Sequence, residues 1–137
     1  MESTQPQPTA GLPWHERHAQ HGVAQTVERL VASAGAHGMT VFAQIDHAAG
    51  ARQAGLALAD MVVVVIGNPR AGTPLLQQNP RLGLDLPLRV LVWDDDGTTR
   101  ITYRPVAELV PAEKREGLEE TLARMADGLE LVVASAL

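Results

Sequence analysis

Apolar residues along this chain recur with two different periods, and the change of period marks the predicted elements. From Gly22 to Gly38 they recur every three or four residues, which predicts an amphipathic helix that stops at Gly38. From Met39 to Ile45 they alternate with other residues, which predicts a strand. Strict alternation would put Val41, Ala43 and Ile45 together on the covered face of that strand.

The next segment predicts a short helix followed by a buried strand. Asp46 stands where a helix cap is needed, so we expect a helix over residues 47–54 that Gly55 closes. Met61 to Ile66 is an unbroken apolar run rich in β-branched residues. Such a run is typical of a strand buried on both faces.

The second half of the chain predicts a helix, a hairpin and a terminal helix. Thr73 followed by Pro74 is a helix-start pattern, for a helix that reaches about Asn79. Pro87–Trp93 and Arg100–Tyr103 read as strands joined across an Asp-Gly turn. Pro111 then opens a helix that continues to the C-terminus.

Composition limits what the protein can bind. With 137 residues the chain has room for one domain, at residues 12–137, after a polar, Pro-rich stretch at residues 1–11 that we expect to be disordered. A net charge of −5 with a single lysine, and the few aromatic residues available for base stacking, argue against a nucleic-acid partner. The longest apolar run is too short for a membrane span. The chain has no cysteine, which excludes disulfides and thiolate metal sites and fits a reducing compartment, so we expect a cytoplasmic protein. We expect no secretory signal, because the N-terminal stretch has no basic start and no apolar run. We also expect no metal or other cofactor.

Five short motifs resemble those of a known family. In chain order they are Ile45-Asp46-His47, Gly67-Asn68-Pro69, Gly72-Thr73-Pro74-Leu75, Asp85-Leu86-Pro87 and Tyr103-Arg104-Pro105. Together they are similar to the motifs of the family called domain of unknown function 302. The resemblance extends from Thr26 to Pro105, and the last motif is one residue shorter than is usual in that family.

The resemblance implies a fold and an assembly but no activity. It implies a compact α+β domain that pairs as a homodimer, with a short strand over residues 12–19 before the first helix. Combined with the periodicity, the expected order is β-α-β-α-β-α-β-β-α. We expect the helices to pack mainly on one face of the sheet.

The segment from Gly67 to Pro74 is the strongest candidate for a binding site. It leaves the buried strand through a turn that contains Arg70 and enters a helix, whose first amides attract anions. If the helix after Asp46 began beside it, both helix starts would face one crevice. We therefore expect a small anionic or polar ligand near a group of polar residues: His47, Asn68, Arg70, Thr73, Asp85 and Tyr103.

Two other functions compete with ligand binding. His47 could act as a general base, oriented by Asp46 or Asp85, although Asp46 has a competing role as a helix cap. Alternatively, the apolar stripe of the terminal helix could dock a protein partner, although packing on its own sheet is the simpler expectation. His15, His18 and His21 are spaced so that their rings diverge on a helix or a strand, which argues against a metal site.

Overall fold

A computed structural model describes residues 13–137. The tail predicted at residues 1–11 lies outside this part of the chain. The elements follow the predicted order and are β1 (His15–Ala19), α1 (Val23–Ala36), β2 (Thr40–Asp46), α2 (His47–Gln53), β3 (Met61–Gly67), α3 (Pro69–Gln78), β4 (Leu88–Asp95), β5 (Thr98–Tyr103) and α4 (Glu119–Ala134). The fold is α+β, as the sequence predicted.

The strands form one antiparallel sheet in the order β1-β5-β4-β3-β2. The strand implied by the family resemblance is present as β1, on the edge beside β5. The Asp-Gly turn joins β4 to β5 with positive φ at both Asp96 (52°) and Gly97 (97°), as a tight hairpin requires. Within the described residues, no helix has both the length and the hydropathy needed to cross a bilayer.

Helices α1, α3 and α4 share one hydrophobic core with a face of the sheet, and the other face is more open. Val64, Ile66, Val90 and Val92 are fully buried on the covered face, beneath α1 and α4. The apolar residues that alternate with them in β3 and β4 are only half-buried, and Ile45 of β2 is 48% exposed. The prediction that β3 is buried on both faces was therefore wrong for the single chain. We call this second surface the open sheet face, and its larger apolar residues include Ile45, Val63, Val65, Leu91 and Trp93.

A β-bulge interrupts β2, so the strict alternation predicted for this strand was wrong. Val41 pairs with Ile66 and Ala43 pairs with Val65, so Phe42 is an extra residue between two paired positions. Ala43 and Ile45 consequently lie on the open sheet face, opposite to Val41. Phe42 is turned toward the end of β3, where it reaches Gly67.

Two helices begin at other residues than predicted. α3 starts at Pro69 with Asn68 as its cap, because Asn68-Pro69 is the same cap-and-proline pattern as Thr73-Pro74 and comes first. Pro74 then lies inside the helix, where it leaves the carbonyl of Arg70 without its usual donor. α4 starts at Glu119, since the chain after Pro111 makes a short 3-10 turn and Gly117 has a φ of +82°.

The apolar stripe of α4 packs within the chain. Leu129 is 2% exposed, and Val132, Val133 and Ala136 are fully buried in the core. These side chains are therefore not available to a partner in the folded protein. The alternative in which this stripe docks another protein is therefore not compatible with the fold. The stripe packs inside its own domain, which was the simpler expectation from the sequence.

Candidate functional site

A cavity of about 440 Å³ lies where β3 runs into α3. Its floor is the turn Gly67-Asn68-Pro69, and its far wall comes from α4. Most of its lining is apolar or glycine, with Met39, Phe42, Leu76, Leu86, Pro87, Leu88 and Met125 among the larger side chains. Both its volume and this mixture fall within the range of small-molecule sites, which occupy about 300–1,000 Å³.

Glycines shape the walls of this cavity. A Cβ atom on Gly67 would come within 3.2 Å of the Pro87 Cβ and 3.5 Å of the Phe42 ring. A Cβ on Gly128 of α4 would lie 3.4 Å from the terminal methyl of Met39. The missing side chains at these two positions let the surrounding apolar groups approach, and any larger residue at Gly128 would extend toward Met39 and into the cavity.

Among residues 13–137, four polar side chains belong to the lining: His37, Asn68, Thr73 and Arg124. Arg124 extends from α4 and is 64% exposed, and its Nη1 donates to Glu120 Oε1 at 2.6 Å. His37 follows α1, and its Nδ1 lies 2.8 Å from the carbonyl oxygen of Ser33. Because a carbonyl only accepts, that nitrogen is the donor, which leaves Nε2 of the ring for other contacts.

The start of α3 does not offer the free amides that the sequence led us to expect. The amide of Arg70 donates to the side chain of Asn68 at 3.0 Å, and those of Ala71 and Gly72 donate to the Asn68 carbonyl at 2.9 Å. Asn68 therefore serves as the cap of α3. Its role at the cavity is to fix the turn that forms the floor.

The two helix starts that were expected to converge lie at opposite ends of β3. β2 and β3 are antiparallel, so Asp46 pairs with Val62 near the start of β3, whereas Asn68 follows its end. The distance between them along the strand is about 20 Å, from the six residues that separate Val62 from Asn68 at about 3.4 Å each. The common crevice predicted from the sequence does not exist, and His47 cannot share a site with Asn68.

The general-base hypothesis loses its geometry for the same reason. Asp46 Oδ1 accepts the amide of Ala49 at 2.8 Å, which confirms it as the cap of α2. His47 is exposed at the first position of that helix. Arg70 and Asp85 both lie toward the other end of the sheet, so they cannot assist His47 in one site.

The remaining predicted site residues do not lie together in one site. Thr73 lines the cavity beside Asn68. Arg70 is exposed on α3 and is not part of the lining. Asp85 borders another cavity, of about 320 Å³, whose other charged residues are Arg89, Arg104 and Glu108. Opposite charges in this second lining leave no single preference for an anion or a cation.

Tyr103 is a buried structural residue. Its side chain is 4% exposed, and its hydroxyl donates to the carboxylate of Glu130 on α4. Arg17 of β1 contacts the same carboxylate at 3.1 Å, and the ring of His15 packs at 5.5 Å from the tyrosine ring. Burial, followed by the hydrogen bond to Glu130, raises the pKa of Tyr103 to about 12.

Metal binding finds no support in the described residues, where no three His, Asp or Glu side chains come close enough to share an ion. His15 faces Tyr103, and His18 lies on the other side of the same strand.

Sequence reasoning missed several residues of the cavity. His37, Phe42, Arg124 and Met125 come from α1, β2 and α4, far along the chain from the Gly67–Pro74 segment. Gly128 offered a weak signal, because a glycine inside an amphipathic helix costs stability, but Gly35 does the same and has no neighbour within 4 Å. Nothing in the sequence says which neighbour that is.

Comparisons with known proteins agree on the family. The sequence profile described as "Domain of unknown function DUF302" matches residues 15–136. The chain is also similar to a solved structure, an uncharacterized conserved DUF302 protein from Bacillus stearothermophilus, with a TM-score of 0.83 and 25% identity over 90% of this chain and 98% of that one.

A more local similarity links the chain to ion channels. Over 77 residues, 56% of the chain, it is 48% identical to the fluoride-specific ion channel FluC 1 of Brucella suis biovar 1 (strain 1330) and to FluC 2 of Brucella melitensis biotype 1. The matched segment is only 30% and 28% of the length of those proteins. Because the match covers less than a third of each channel protein, the name "ion channel" is said of those proteins alone. The profile match along nearly all of the described residues, together with the shared fold, establishes that this chain belongs to the DUF302 family.

Proposed function

We propose that this protein is a homodimeric binding module that holds a small molecule with a polar or anionic group in the cavity between α3 and α4. The observation that carries the proposal is the cavity itself, with about 440 Å³ of space and an apolar lining that includes a few polar side chains. Apolar walls supply affinity and a few polar groups orient the ligand, which is the usual composition of a small-molecule site. A cytoplasmic location is also part of the proposal and rests on the sequence alone.

The homodimer is supported by the open sheet face. Val63, Val65, Leu91 and Trp93 remain half-buried there, and Ile45 is 48% exposed. Contiguous apolar surface of this kind is characteristic of interaction sites. A second copy of the chain is the partner that the family resemblance implies.

Fluorescence of 1-anilinonaphthalene-8-sulfonate, an apolar ring system with an anionic group, tests the cavity. We expect saturable binding of one molecule per chain. Gly128→Leu should abolish it, because the new side chain would extend toward Met39 and fill the space. Gly35→Leu is the matched control, since that helical glycine has no neighbour within 4 Å and is not part of the lining.

Three results are decisive for the cavity. Loss of the signal in Gly128→Leu alone, with unchanged circular dichroism, supports the proposal. Equal binding by both variants, or no saturable binding to the original chain, contradicts it. If Gly128→Leu fails to fold, Gly72→Leu takes its place, because Gly72 also lines the cavity and has open space where its Cβ would stand.

Sedimentation equilibrium tests the dimer. At micromolar concentration we expect twice the 14.6 kDa mass of the chain. Ile45→Lys on the open sheet face should shift the protein to monomer, whereas Leu84→Lys should not, although Leu84 is more exposed at 81%. A monomeric original chain, or equal effects of the two lysines, contradicts this part of the proposal.

A further inference from the structure

The charge distribution around the cavity differs from that of the whole chain. The protein has 16 acidic residues against 11 basic ones. Yet among the described residues that line the cavity there is an arginine and a histidine and no acidic residue. An anion entering the cavity would therefore meet a cation at its wall, in a protein that otherwise repels anions.

Arg124 is placed to exchange its present partner for a ligand. Its guanidinium donates through Nη1 to Glu120, one turn earlier on α4. The two side chains are 64% and 88% exposed, and solvent-exposed pairs of this spacing are weak. A guanidinium carries five N–H donors in a fork that fits the two oxygens of a carboxylate. A ligand carboxylate bound at the cavity wall can compete with Glu120 or share the guanidinium with it.

The rest of the lining limits the charge and the shape of the ligand. One arginine compensates one negative charge, and a second charge among methionine, leucine and phenylalanine side chains would be costly. Met39, Leu76 and Met125 offer flexible apolar surface, which adapts well to an alkyl or aryl group. His37 adds a ring whose Nδ1 is held by Ser33, so Nε2 is the ring nitrogen available to a bound molecule.

From this arrangement we infer that the ligand is a small monocarboxylate with an apolar body, its carboxylate bound by Arg124 and its body packed among Met39, Leu76 and Met125. The inference rests on the proposed function of the cavity and adds the class of molecule. It also moves the anion-binding role from Arg70 and the α3 amides, where the sequence indicated it, to a residue of α4.

Calorimetric titration with octanoate, octanol and octylamine tests the inference, because the three probes share an alkyl chain and differ in the polar group. We expect octanoate to bind about tenfold more tightly than octanol, the scale of a charge-assisted hydrogen bond that is partly screened by water. Octylamine should bind most weakly. Butanoate should bind at least about tenfold more weakly than octanoate, because it buries four fewer methylenes.

Arg124→Gln should reduce the affinity for octanoate to that for octanol and leave octanol binding unchanged. Arg52→Gln is the matched control, since it removes the same charge from the exposed end of α2 and should preserve the tenfold preference. Equal affinities of octanoate and octanol in the original chain would overturn the inference, as would a preference that survives Arg124→Gln. If octanoate and octanol bind equally and Gly128→Leu abolishes the binding of both, the cavity still binds ligands and only the carboxylate assignment fails. If none of the probes binds, both the inference and the proposed function are contradicted.

Discussion

Replacing Tyr103 by phenylalanine should change how the stability of the protein depends on pH. The substitution keeps the buried ring and removes the hydroxyl that donates to Glu130. Glu130 is 46% exposed and still has Arg17 as a partner, so water can replace the lost donor. We therefore expect Tyr103→Phe to lower the free energy of unfolding by about 1 kcal/mol near neutral pH.

The pH dependence follows from the raised pKa of Tyr103. Burial and the bond to Glu130 raise this pKa from 10.0 to about 12, so the folded state holds the phenolic proton more tightly than the unfolded state does. The resulting stabilisation is complete below pH 10 and is lost as the pH rises from 10 to about 12. Two pKa units correspond to at most about 2.7 kcal/mol, and the exposure of Glu130 and Arg17 to water reduces our expectation to about 1–2 kcal/mol.

Urea unfolding of both proteins between pH 7 and pH 11.5 measures this effect, because the range starts below the ordinary pKa of 10.0 and extends into the interval between 10.0 and about 12. The original chain should start as the more stable protein, and its advantage should shrink and reverse above pH 10. Tyr103 is the chain's single tyrosine, so the absorbance of tyrosinate reports its pKa directly. A constant difference in unfolding free energy across this range, or an ordinary tyrosine titration in the folded protein, would refute the reasoning.

Three further substitutions test local features of the fold through the free energy of unfolding in urea. Asp46→Ala removes the cap of α2 and should cost about 1 kcal/mol, whereas no loss would mean that the cap is dispensable. Gly97→Ala forces a side chain into a φ of +97° and should cost about 1–2 kcal/mol, and a neutral result would contradict the turn geometry. Thr102→Val removes the acceptor of the Trp93 indole N–H, 2.8 Å away, and should cost about 1 kcal/mol and alter the tryptophan fluorescence, while an unchanged spectrum would argue against this contact.

Features that depend on a few neighbouring residues could be predicted from the sequence. Gly38 and Gly55 end their helices with φ of +76° and +78°, and Gly97 closes the hairpin, because positive φ is a local requirement that glycine meets. The elements from α1 onward were predicted in order for the same reason, whereas β1 was expected only from the family resemblance. The start of α3 was not predicted correctly, because two equal cap-and-proline patterns compete there and the sequence does not rank them.

The candidate site was predicted only in part, because it depends on how distant segments pair. Asn68 and Thr73 line the cavity, since they belong to the segment that forms it, and their binding of a ligand stays a prediction. The antiparallel pairing of β2 with β3 placed His47 at the other end of the sheet. Arg124 joins the cavity through the packing of α4, which no local pattern encodes.

The proposed ligand site can be tested most directly by following glycine amides during an NMR titration with octanoate. Within the described part of the chain, four glycines line the cavity, at positions 67, 72, 83 and 128, and each gives its own amide signal. Gly55, Gly97 and Gly117 are not part of the lining and serve as internal references. We predict saturable shifts of the four cavity signals, with the three reference signals unchanged. Shifts that spread equally over both groups, or cavity signals that do not respond, would contradict ligand binding in this cavity.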